Sequence, residues 1–98
     1  MKHIILSADS TPSVYLVPDK VSDNLKDYCN DFWEWMQTSP HAEKYREDFN
    51  GIVGLCYTES DFIEYLNTWV FQDNPCELIE TLDNGMPQKY KDCVRFNF

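Results

Sequence analysis

The side chains of this chain that could do chemistry are carboxylates rather than nucleophiles or bases. Along Ser22–Gln37, SDNLKDYCNDFWEWMQ, residues Asp23, Asp27, Asp31 and Glu34 recur at steps of four, four and three. On a helix that spacing sets them in one stripe. Like charges one turn apart cost a helix about 0.2–0.5 kcal/mol per pair. Asp23 is excused if it lies in the first turn, where Ser22 can cap the free amides and the helix dipole favours an anion. Asp31 and Glu34, in the second half, have no such excuse. The bland reading of the stripe is a solvated face. The sharper one is a surface that draws in a basic partner by long-range charge.

No catalytic pattern competes with it. His3 falls in an edge-like strand and His41 in the first turn of a short helix, and both read as ordinary surface or turn residues. None of the seventeen acids has a recognisably apolar setting that would raise its pKa for acid–base work. Gly51, Gly54 and Gly85 form no phosphate-cradling loop. Cys29, Cys56, Cys76 and Cys93 include no close pair of the kind that announces a zinc site, so they read as small buried apolar side chains. We therefore expect no catalytic residue, no metal and no cofactor.

Charge narrows the partner. Seventeen acidic against eight basic residues give a net charge of −9, which argues against direct contact with nucleic acid or an anionic membrane. From Glu47 to Gln88 there are nine carboxylates and no Lys or Arg. The amino-terminal MKHIILSAD is too short in apolar residues for a signal peptide, no stretch approaches the ~18 apolar residues of a membrane span, and no Asn-x-Ser/Thr site occurs. With unpaired cysteine usage, this suggests a cytoplasmic protein.

These residues must be positioned by a fold, and 98 residues with 43% hydrophobic content suit one domain, 1–98. His3–Ser7 and Val14–Val17 read as strands of a hairpin. In the Ser22–Gln37 helix, Leu25, Tyr28, Cys29, Phe32, Trp33, Trp35 and Met36 form an apolar arc opposite the acids. Trp33 and Trp35 lie on opposite flanks of it; the plainer reading leaves both half-buried against the sheet, the other puts one at the rim for a partner, and Trp35 is taken as that partner-binding aromatic. Ser39-Pro40 begins a short helix in which Ala42, Tyr45 and Phe49 share a face up to a stop at Asn50-Gly51. Ile52–Tyr57 is apolar on both faces and reads as an interior strand, with Gly54 marking a bulge or a close approach.

Thr58 and Asp61 form a weak capping box for a further helix whose inward face is Phe62, Tyr65, Leu66, Trp69 and Val70, with Asp61 and Glu64 outward. Asn74-Pro75-Cys76-Glu77 favours a short helix over 75–82, although the same letters could make a strand. As a helix it brings Glu77, Glu80 and Asp83 together. Met86–Asp92 reads as a loop, and Val94, Phe96 and Phe98 alternate as a half-buried strand. The expected fold is α+β, in the order β-β-α-α-β-α-α-β, a mainly antiparallel sheet of about four strands with helices on one face.

The functional expectation is a small acidic, non-enzymatic protein whose carboxylate-rich helical surface binds a basic protein. The partner-binding residues are Asp23, Asp27, Asp31, Glu34, Trp35, Asp61, Glu64, Glu77, Glu80 and Asp83. Its most pointed form is a nucleic-acid mimic that blocks the groove of a DNA- or RNA-binding enzyme, in the manner of the antirestriction and anti-CRISPR inhibitors of phages and mobile elements. The alternative is a homo-oligomeric or scaffold-type interaction domain that uses exposed aromatics, with acidity serving solubility alone.

Overall fold

Two strands at the centre of a four-stranded sheet explain the two most apolar runs near the amino terminus. In the computed structural model, which describes Met1–Phe98, β1 (Lys2–Ser7) and β2 (Ser13–Val17) form an antiparallel hairpin. Ile4, Ile5 and Leu6 are all buried, as are Val14 and Tyr15, because both faces of the sheet are covered. On one face Ile4, Leu6, Tyr15 and Val17 pack under the helices. On the other, Ile5 and Val14 pack against Leu82 and Tyr90.

The flanking strands are β5 (Glu77–Thr81), antiparallel to β2, and β6 (Val94–Asn97), parallel to β1. The order β5-β2-β1-β6 makes the sheet mixed. Since β5 and β6 run in the same direction, residues 82–93 must cross back over the sheet, and they do so on the face away from the helices. That crossing, with a short 3-10 turn at Gln88–Tyr90, is what supplies Leu82 and Tyr90 to the smaller core. Within residues 75–82, expected to favour a helix, Glu77–Thr81 form the edge strand β5 instead. Proline and glutamate made a helix start plausible, but β2 offered an unpaired edge and the ladder won. β5 has a register irregularity opposite Val14 and Tyr15, a device that bends and blunts sheet edges.

The expected Ser22–Gln37 helix is two helices. α1 (Asp19–Asp23) ends and α2 (Leu25–Thr38) begins at Asn24. The Asn24 side-chain amide donates to the carbonyl of Lys20 at 3.0 Å, while its own carbonyl accepts from Asp27 and Tyr28. Asparagine competes well for such local bonds and so favours helix ends. Ser22 is thus a buried residue of α1 and not a cap, and Asp23 lies outside α2.

After α2, Ser39 accepts the amide of His41 at 3.1 Å and Pro40 opens a 3-10 turn, Pro40–Tyr45, that buries Ala42 and Tyr45. The chain then forms a second, two-stranded sheet from β3 (Arg46–Phe49) and β4 (Ile52–Leu55). Asn50 and Gly51 both have positive φ, 55° and 88°, as a two-residue hairpin turn requires. The expected continuation of the helix to Phe49 is replaced by this hairpin, and the strand expected over Ile52–Tyr57 forms over Ile52–Leu55 but as an exposed arm of the hairpin rather than as an interior strand. A close approach at Gly54 does occur, since a Cβ there would lie 2.9 Å from the Phe49 ring, and the register around it is regular.

α3 (Glu59–Tyr65) runs into a wider π turn, Leu66–Val70. Phe62, Tyr65 and Leu66 are buried as expected, but Trp69 and Val70 are exposed. A π turn rotates the last residues relative to an α-helix, which takes Trp69 and Val70 off the buried face.

Candidate functional site

α2 sits at the centre of the larger core. Leu25, Cys29, Phe32 and Met36 are buried, and the Phe32 ring meets Trp35, Tyr45, Tyr57, Phe62, Tyr65 and Phe98 at centroid distances of 5.3 to 6.3 Å. This packing fixes which face of the helix looks outward. Asp27, Asp31 and Glu34 are all exposed on that face, and none is in an ion pair.

The other carboxylates expected at the surface are placed differently. Asp23, at the end of α1, is paired with Lys2 at 2.7 Å. Asp61 turns back to accept the Thr58 amide at 2.8 Å, so it is a helix cap. Glu64 pairs with Lys44 at 3.4 Å. Glu77 is exposed on the edge strand, and Asp83 is exposed beyond its end. Glu80 lies on the far face of the sheet, where it accepts the Tyr90 hydroxyl and pairs with Lys89 at 3.5 Å. The Tyr90 hydrogen bond holds its carboxyl below the ordinary value. The structure therefore brings together Asp27, Asp31 and Glu34, and leaves the β5 acids elsewhere.

The tryptophans are also exchanged. Trp35 is half-buried against Tyr65, at a centroid distance of 4.9 Å, and against Trp69. Trp33 is the exposed one, at 55%. Both flank the apolar arc equally in the sequence; the side covered by α3 and the π turn is the Trp35 side, and nothing local specifies that.

Trp33 instead faces the hairpin. An open groove of about 660 Å³ runs between α2 and the second sheet, lined by Trp33, Gln37, Arg46, Val53, Leu55 and Tyr57. The pairing of Arg46 with Leu55 and of Asp48 with Val53 puts those four on one face of the hairpin, because directly opposed residues share a face. Phe49, opposite Ile52, projects from the other face. The Arg46 guanidinium is committed, donating to the carbonyls of Gln37 at 3.1 Å and Ser39 at 2.6 Å, which ties the hairpin to the end of α2 where a cation suits the dipole.

The hairpin is unusually apolar for its exposure. Ile52 is 72% exposed and Val53 67%, on opposite faces of β4, whose composition suits burial on both sides, and Phe49 of β3, beside Ile52, is 52% exposed. Isolated two-stranded hairpins are at best marginally stable, and contiguous exposed apolar residues mark interaction surfaces. Asn50-Gly51 between two short strand-forming segments is the sequence signal that could have revealed the hairpin.

Catalytic features remain sparse. Burial pushes the Cys29 thiol up to about 12 and the Cys76 thiol up to about 11, so neither supplies a thiolate near neutral pH. His41 stacks on Trp69 at a centroid distance of 4.7 Å. No three His, Cys, Asp or Glu side chains gather in a way that could hold a metal ion, and no helix is long and apolar enough to cross a membrane. No protein-family model, curated protein or solved structure matches the chain.

Proposed function

We propose that this chain is a non-enzymatic binding protein that presents the solvent face of α2 to a basic protein. The observation that supports this best is the set of Asp27, Asp31 and Glu34, exposed together without counter-ions, while Asp23, Glu64 and Glu80 are each tied to a lysine. Charges left without partners on one face cost their own helix a little and cast a field that steers a cationic partner. In its sharpest form the surface stands in for nucleic acid in the groove of a DNA- or RNA-binding enzyme. Carboxylates at steps of four and three rise about 4.5–6 Å along the helix axis, against one phosphate per about 3.4 Å of a duplex strand, so α2 matches such a groove over a short length only. Four free thiols suit a reducing interior, where the proposal places the protein; cell fractionation would check this.

The deciding experiment is capture of partners from lysate of the source cell at low and high salt, with the wild type and the Asp27→Lys/Asp31→Lys double variant. The wild type should retain a basic protein at low salt and release it at high salt, and the double variant should retain none while keeping its circular dichroism. Equal retention by the folded double variant would sink the proposal. Competition by added DNA or RNA would mark the mimic form. A second reading, a homo-oligomer or scaffold domain, is favoured by Phe49 and Ile52 on the outer face of the hairpin. It requires association that is insensitive to salt.

A further inference from the structure

The groove beside α2 carries the inference furthest. Its walls are apolar side chains of Trp33, Val53, Leu55 and Tyr57, and its volume of about 660 Å³, within the roughly 300–1,000 Å³ of small-ligand sites, leaves ample room for one bulky side chain. Its surroundings are anionic. On the α2 side, at ~100° per residue, a column containing Asn30 and Gln37 separates Trp33 from Glu34 and Asp27, which lie about 100–120° round the helix from it, while Asp31 lies farther round on the Trp35 side. On the hairpin side, Asp48 shares the face of Val53 and Leu55, its Oδ1 accepting only the turn amide of Gly51. The one cation in the lining, Arg46, is held by two backbone carbonyls, and Lys26 is two turns back along the helix.

We infer that the groove receives a basic segment of the partner protein, seating one bulky apolar side chain between Trp33 and Val53 while flanking Lys or Arg residues meet Glu34, Asp27 and Asp48. This rests on the basic-partner reading of α2. Charge complementarity selects the occupant. A second copy would bring its own −9 charge to an anionic rim, and like charges brought together at an interface are costly. A cationic segment gains from both parts of the surface, with the apolar side chain supplying the anchor.

Three synthetic peptides test it by NMR titration of the full chain: a Lys-Ser peptide with one central leucine, the same peptide with serine in place of leucine, and a Glu-Ser peptide with the leucine. The cationic leucine peptide should shift the Trp33 indole and the Val53 and Leu55 methyl signals, and bind about tenfold more tightly than the serine version, as expected for burying much of one leucine side chain. Trp33→Ala should remove that difference and leave the weaker cationic binding at Asp27, Asp31 and Glu34. Equal binding of the two cationic peptides overturns the groove inference and leaves the α2 reading standing. Equal binding of the anionic leucine peptide overturns the selection by charge. No perturbation of the α2 acids by either cationic peptide overturns the α2 reading itself. A dimer in sedimentation velocity that Trp33→Ala dissociates would assign the groove to a second copy and overturn the inference.

Discussion

Adjacent residues of α2 divide the labour of this molecule. Phe32 is fully buried among the aromatic rings around it, and Trp33 next to it is largely in water. Phe32→Ala should therefore destabilise the fold by about 3–5 kcal/mol, the range for emptying a large buried aromatic site. Trp33→Ala should change stability by about 0.5 kcal/mol or less. Urea denaturation of both variants measures this, and a large loss at Trp33 would show that the groove is closed in solution. A second residue-scale expectation concerns Glu80. Its carboxyl is held below the ordinary 4.5, first by the Tyr90 hydroxyl, and a depressed acid stabilises above its unfolded value and loses that contribution as pH falls through its folded one. Tyr90→Phe should move Glu80 back up in an NMR titration and flatten the fall in thermal midpoint below pH 4.5. An unchanged Glu80 titration would show that the hydroxyl is not its partner.

At the scale of elements, the hairpin is where local and tertiary preferences part. Asn50-Gly51 is the strongest short-range signal for a two-residue turn, yet the preceding Ser39-Pro40 also starts a helical turn, and Ala42 and Tyr45 continue its pattern. The helical turn is real but stops at Tyr45, because Arg46 turns to bond the carbonyls at the end of α2 and the next residues pair as β3. Gly51 has a φ of 88°, and an Ala there costs about 1–2 kcal/mol. Gly51→Ala should accordingly loosen the hairpin, weaken nuclear Overhauser contacts between the paired residues Asp48 and Val53, and leave the four-stranded sheet intact. Full retention of those contacts would mean that packing on α2, rather than the turn, holds the hairpin. Gly54→Ala should be nearly neutral, since the Cβ meets only the exposed ring of Phe49, which can rotate away.

For the whole molecule, charge and shape act at different ranges. The field of a −9 chain reaches about 30 Å at 0.01 M salt and about 8 Å at 0.15 M, whereas the groove acts only on contact. Association with the basic partner should slow steeply with salt, with dissociation changing much less, as stopped-flow or biosensor rates would show; an on-rate indifferent to salt would reject steering by α2. The sequence by itself determined the α+β class, the hairpin of β1 and β2, the apolar arc of α2 and the exposed set Asp27, Asp31 and Glu34, because each is written in a local period of two or 3.6 residues. It also marked Gly54 as a bulge or a close approach, of which the second occurs. The Thr58–Asp61 capping interaction was likewise legible, because it is local. Only the tertiary structure decided that Glu77–Thr81 joins β2 as a strand, that β6 lies parallel to β1, that Trp33 rather than Trp35 is exposed, and that Asp23, Glu64 and Glu80 are engaged elsewhere. Each of these depends on which distant segment covers a given edge or face, and on which lysine or hydroxyl arrives beside a given carboxylate, and neither has a period that a short stretch of chain could encode.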